Sequence, residues 1–226
     1  VAPTVEADDG WTFTGWDTAF DSVTADLTVT AQYLPTTLSD GLVASYPFDG
    51  DANDASGRGH DGATHGDPSF VPDRAGNANS AIELDGVDDW IDVAHHADLD
   101  MTRAMSVSCW LRGASGGARF GILASKGSGS WYSFPLVLFA GMEGTGRVEI
   151  STDGVSSGWG YIWPEAEAIA LGQWSHVVFV IDRDAGTLRV YSNGELLDEK
   201  TVGTDDLVTN DRPLRIGWSE TTDNGW

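Results

Sequence analysis

The chain has 226 residues, enough for one large β-domain or a medium domain with a small companion. Twelve Lys and Arg stand against thirty-five Asp and Glu, a formal charge of −23, and that field repels phosphate backbones and anionic membrane surfaces. Nucleic acid is excluded as a partner, and with no apolar run of spanning length, so is membrane insertion.

In residues 1–34, "GWTFTGWD" alternates Trp11, Phe13 and Gly15 against Thr12, Thr14 and Trp16, and Leu27, Val29 and Ala31 line one side of a following strand. The segment is too short to bury a core alone, which predicts the end of a domain that starts further upstream in a longer polypeptide. Pro35 and the polar residues after it predict a break in pairing and a linker over 35–40.

Beyond the linker, helical periodicity is nearly absent. Short alternating runs at 42–48, 80–86, 105–111, 146–152, 174–182, 187–197 and 213–219 are broken by Gly, Asp, Asn and Ser clusters. That rhythm predicts an all-β, two-sheet antiparallel sandwich over 41–226. Asn193-Gly194 supplies the positive φ angles of a two-residue hairpin turn between strands 187–192 and 195–202.

The stretch "YPFDGDANDASGRGHDG" (46–62) gathers four Asp among glycines. Asp49, Asp51 and Asn53 sit at the first, third and fifth positions of an EF-hand-like pattern, but Asp54 replaces the required Gly and His60 the required Glu, so that motif is excluded. A catalytic acid pair needs an apolar pocket to raise one pKa, and none is evident nearby. Two readings stay open: a loop holding a hard cation, and a solvated turn capped by its own Asp and Asn. His60 and His65 lack thiol partners and a helix to align them, which argues against zinc. His95 and His96 read as surface residues, and "ELDGVDDWIDV" (83–93) as strand, turn at Asp85-Gly86, strand. The single cysteine, Cys109, lies in an apolar run and reads as a buried inert thiol.

Among ten tryptophans, Trp174 is assigned to core or sheet-end packing and His176 to a hydrogen-bonded interior position, while Trp110 alternates away from Val107, Cys109 and Leu111. The insert 127–141 and the loop 156–168 instead place Trp131, Tyr132, Trp159, Tyr161 and Trp163 beside Gly, Ser and Pro. Flat rings with polar rims suit shallow carbohydrate sites, so these five are the candidate ligand-binding residues. Arg119, Lys126 and Arg147 are scarce cations that could meet an acidic glycan.

Two resemblances add to this. Residues 10–17 and 23–33 resemble the C-terminal part of the Listeria–Bacteroides β-grasp repeat, implying a spacer on a bacterial surface protein. Seven successive pieces, from "GLVASYPFDGDANDASGRGHDG" through "AIELDGVDDWIDV", "SVSCWLR", "ILASKG", "GQWSHVVFVID" and "LRVYSNGELL" to "PLRIGWS", are similar to the laminin-G-like, concanavalin-A-like jelly roll. The resemblance implies that strand 42–48 would pair with a closing strand lying past Trp226, leaving a bare edge here. It also implies one structural Ca2+, with side chains from Asp49 and Asn53 or Asp54 and carbonyls from Gly57 and His60. The E-x-D-x-x-E strand of glycosidases with this fold is missing, since "EISTD" and "ELLDE" are misspaced. The expected function is a non-catalytic carbohydrate-binding or adhesion module of a secreted or cell-surface protein, meeting a polysaccharide or cell-surface glycan. The alternatives are a protein-contacting structural module without a sugar site, and the targeting module of a larger polysaccharide-degrading enzyme.

Overall fold

The computed structural model describes residues 5, 11–16, 27–35, 40–113, 121–127, 136–140, 148–154 and 158–217. The chain divides into two units, Val1–Leu42 and Val43–Trp226.

In the first unit, β1 (Trp11–Trp16) pairs antiparallel with β2 (Ala31–Pro35). A register shift between Phe13 and Gly15 departs from the strict alternation expected, because a bulge returns the chain to the same face one residue late. Phe13 therefore meets both Trp16 and Tyr33, edge to face, at 5.6 and 5.7 Å. Pro35 does not break the pairing as expected; it is the last residue of β2, opposite Trp11, and a strand end can forgo an N–H.

The second unit is the predicted sandwich. Its strands are β3 (Gly62–His65), β4 (Ser69–Val71), β5 (Ala81–Glu83), β6 (Trp90–Val93), β7 (Ala104–Leu111), β8 (Gly121–Lys126), β9 (Leu136–Ala140), β10 (Val148–Gly154), β11 (Gly158–Ile162), β12 (Ser175–Asp182), β13 (Thr187–Ser192), β14 (Glu195–Thr201) and β15 (Leu214–Ile216). One sheet runs β11-β10-β9-β8-β15-β6-β3, the other β14-β13-β12-β7, and β4-β5 forms a small third sheet. All pairings are antiparallel among the described residues.

The period-2 pattern does the sorting. In β12, Ser175, Val177, Phe179 and Ile181 are buried while His176, Val178 and Val180 face outward. Opposite them, Leu138, Ile150 and Ile162 are fully buried on the larger sheet, and the two rows meet in one core with Leu188, Val190 and Leu207. Each such side chain contributes about 1.5–3 kcal/mol. A second cluster of Ala52, Ile91, Val93 and Leu99 lies under Val43, Tyr46 and Phe48. Between the sheets, the wholly buried Arg183 donates to the Gly203 carbonyl at 2.8 Å and to Thr152 Oγ1 of β10 at 3.0 Å.

Asn193 (φ 50°) and Gly194 (φ 88°) make the expected hairpin turn. Three other expectations need correction. Residues 42–48, read as a strand, form no ladder among the described residues; the Ser45 N–H donates to Asp54 and its carbonyl accepts from the Ala55 N–H. Within the stretch read as an insert, 136–140 is a central strand with Leu136, Val137 and Leu138 buried. Within the stretch read as a loop, 158–162 is the edge strand β11. Gly and Ser neighbours disguised both, because composition registers the flanks as strongly as the strand.

Candidate functional site

The acidic loop is organised by one carboxylate. Asp54 Oδ1 accepts from the N–H groups of Ser45 (2.9 Å) and Ser56 (2.8 Å), while Oδ2 accepts from Ser56 Oγ (2.7 Å) and the His60 N–H (3.1 Å). Burial alone would raise its pKa, but these bonds from Ser56, Ser45 and His60 outweigh that and hold the carboxyl well below the usual range. Four donors fill the roughly four lone-pair positions of a carboxylate, so Asp54 has none left for a cation. Gly57, at φ 83°, takes the left-handed turn that carries the loop around this hub. The Tyr46 hydroxyl donates to the His60 carbonyl at 2.8 Å. Burial first, then the Asp54 and Asp61 charges, push that phenol above its ordinary range, so it remains a protonated donor. Asn53 donates from backbone and side chain to Asp51 (3.0 and 2.7 Å), and Asp49 is exposed. Of the five residues expected to hold calcium, Asp54 is thus committed to the loop itself.

A second acidic hub went unrecognised in the sequence. Asp89, read as part of a solvated turn, is buried and accepts from the Asp67 N–H (2.8 Å) and the Asp85 N–H (3.0 Å), tying two turns together. Asp85 caps the turn as expected, accepting from the N–H groups of Val87 and Asp88. A shallow cleft of about 390 Å³ opens here between Asp67, Glu83 and Asp88.

The aromatic candidates separate. Trp131 and Tyr132 lie outside the described residues, as does the side chain of Trp159, whose backbone belongs to β11. Tyr161 and Trp163 stand two residues apart, each 38% exposed, on either side of the buried Ile162. Tyr161 belongs to β11, and Trp163 follows directly after that strand's last residue. The Lys200 ammonium of β14 sits 3.9 Å from the Tyr161 ring centroid, an arrangement the ring quadrupole favours. The edges of both sheets thus meet where Lys200 of β14 lies over Tyr161 of β11, with the exposed Trp163 two residues further along the chain. No sequence signal linked Lys200 to Tyr161, since they meet only when the sheets stack.

A further aromatic cluster lies on the outer face of the four-stranded sheet. Trp110, 46% exposed, stacks on His176 at 5.0 Å, with the Arg74 guanidinium 4.3 Å from its ring centroid. His176 bonds Ser108 Oγ at 2.8 Å, so it is hydrogen-bonded as expected but on the outer face rather than inside. Trp174, half-buried, lies under the Arg112 guanidinium at 5.3 Å.

Other residues prove structural. Lys126 cannot meet a glycan: it is buried, its Nζ 2.8 Å from Asp100 Oδ1 and donating to the carbonyls of Asn210 (2.8 Å) and Arg212 (3.2 Å). Arg119 and Arg147 lie outside the described residues. Burial pushes the Cys109 thiol up to about 12, so it stays protonated. Asp92 is paired with Arg215 Nε at 2.6 Å and lies 3.4 Å from His65 Nε2.

Comparison with known proteins fits this architecture. The family model described as the concanavalin A-like lectin/glucanases superfamily matches residues 85–226. No curated protein matches the chain. Among solved structures it is similar to the binding domain of Paraclostridial Mosquitocidal Protein 1, with 15% identity, a TM-score of 0.62, and 82% of this chain and 46% of that one covered. It is also similar to the binding domain of botulinum neurotoxin DC in complex with SialylT (14%, 0.58, 80% and 44%). A third is botulinum neurotoxin type C, whose cell entry is described as dependent upon interaction with two ganglioside molecules (14%, 0.56, 82% and 45%). The chain spans less than half the length of each of these structures, and at such identities the likeness is one of fold.

Proposed function

The chain belongs to the concanavalin A-like lectin/glucanases superfamily, and from that premise we propose that it is a non-catalytic module binding a polysaccharide or cell-surface glycan. The observation that carries this is the edge patch, where Tyr161 and Trp163 are exposed rings and the Lys200 ammonium, lying over one face of Tyr161, offers donors beside it. Solved structures of similar fold include domains described with a sialylated ligand and with gangliosides. A glycosidase would need two carboxyl groups about 5–9.5 Å apart across a cleft. The nearest sequence candidate, Glu149 with Asp153, places its two positions four residues apart on β10, about 13 Å of strand rise, and Glu149 is buried.

In this proposal the module acts outside the cell, and the Val1–Leu42 unit is a spacer of the bacterial surface repeat type. Among the described residues no helix is long and apolar enough to cross a membrane. A structural calcium remains part of the proposal, resting on Asp49, Asn53 and the carbonyls of Gly57 and His60, because Asp54 is already saturated. Added calcium is expected to raise the melting temperature, and an unmoved transition defeats that element.

Glycan-array screening followed by titration calorimetry tests the main claim. Trp163→Ala and Tyr161→Ala are each expected to weaken glycan binding at least about tenfold without unfolding the protein. Equal binding by both variants refutes the edge site, and turnover of a polysaccharide refutes the non-catalytic reading.

A further inference from the structure

His60, set aside as a zinc ligand when paired with His65, has different neighbours in the fold. Its side chain is 4% exposed, and its Nε2 is buried without a hydrogen bond, 3.5 Å from Asp98 Oδ2. The His96 ring lies 4.7 Å away, centroid to centroid, and His96 Nδ1 is 3.5 Å from Asp98 Oδ1. One carboxylate therefore stands between two imidazole nitrogens, and ligand atoms of the three residues lie within 4.8 Å of one another. Leaving a buried imidazole nitrogen without a hydrogen bond costs stability. A cation placed between Nε2 and the carboxylate removes that cost.

We propose that His60, His96 and Asp98 form a three-ligand site for a zinc-class transition-metal ion, with water as the fourth ligand. Two imidazoles and a carboxylate are borderline ligands suited to such an ion rather than to calcium, which prefers oxygen throughout. Tetrahedral zinc with bonds of about 2.0–2.1 Å sets its ligand atoms about 3.3 Å apart, so the observed 3.5 Å from Nε2 to Oδ2 needs little closure. His60 comes from the acidic loop and His96 and Asp98 from the loop before β7, where His96 caps the 3-10 turn Ala97–Leu99. The metal would fasten these two loops. At His96 it replaces the long 3.2 Å bond that Nδ1 accepts from the Asp98 N–H. Arg58 is the competitor, its Nη1 donating to Asp98 Oδ2 at 3.2 Å.

Titration calorimetry of the full chain with zinc chloride, in excess calcium, tests this. One zinc per chain is expected, with a raised melting temperature that calcium alone does not reproduce. Cobalt(II) should give the intense visible bands of a four-coordinate ion. Because His60 is buried and its replacement endangers the loop, His96→Gln carries the test: His96 is exposed, and the variant should lose at least about tenfold in zinc affinity. Arg58→Gln should bind more tightly, and His65→Gln should be unchanged. Equal zinc affinity in His96→Gln, no zinc-dependent shift, or a six-coordinate cobalt spectrum overturns the site.

Discussion

Replacing Asp54 by Asn isolates the charge of the loop hub from its shape. Asn Oδ1 can still accept from Ser45 and Ser56, but its NH2 turns a donor toward the His60 N–H and can no longer accept from Ser56 Oγ. Two charge-assisted bonds are lost, each worth about 1.5 kcal/mol at the low end suited to a half-exposed loop, for a total of about 3 kcal/mol. For a unit of this size, about 2–4 °C per kcal/mol gives a melting temperature lower by roughly 6–12 °C. The sign of the pH dependence follows from the depressed carboxyl. Its stabilisation is fully present above the unfolded-state value near 3.9 and is lost as pH falls toward the folded-state value. Wild type and Asp54→Asn should therefore differ most at neutral pH and converge below about pH 4. Differential scanning calorimetry from pH 3 to 7 decides the matter, at about that spacing of conditions. A difference below about 2 °C at neutral pH, or one that grows on acidification, refutes the hub.

Two other outcomes follow from buried groups. Lys126→Ala leaves the Asp100 carboxylate without its ion-pair partner, and should cost about 3–5 kcal/mol in urea denaturation; a loss below about 1 kcal/mol would show that the pair is solvated. Cys109 should resist a thiol reagent at pH 8 in the folded protein and react promptly on unfolding, as followed by absorbance; rapid native reaction would contradict its burial.

The sandwich was legible because its core strands alternate cleanly. "SHVVFVID" and "TLRVYS" declare which side of each strand is buried before any neighbour is known. Where one short apolar run is framed by Gly, Ser and Pro, as in "FPLVLFAG" and "SSGWGYIWP", composition outweighed pattern and two strands passed for loops. The acidic loop was legible as a special place, but the sequence could not say that Asp54 receives donors from Ser45 and His60, nine residues behind and six ahead. Tyr161 and Trp163 were found by their setting, while Lys200 was not. Likewise, histidines 60 and 96 are remote in the chain, and only the packing of two loops brings them together.

The Arg183 strut has a bearing on how the protein comes apart. Its guanidinium keeps its proton at any ordinary pH, and the carbonyl and hydroxyl it donates to carry no charge to lose, whereas the Asp205 carboxylate 3.9 Å from Nη1 does. Acid thus weakens the carboxylate clasps, Asp205 among them, while the two neutral-acceptor bonds of Arg183 persist. Stomach-like or lysosome-like conditions would fray the loops of this molecule and spare its trunk, so protease cuts made there should fall first near the acidic bends.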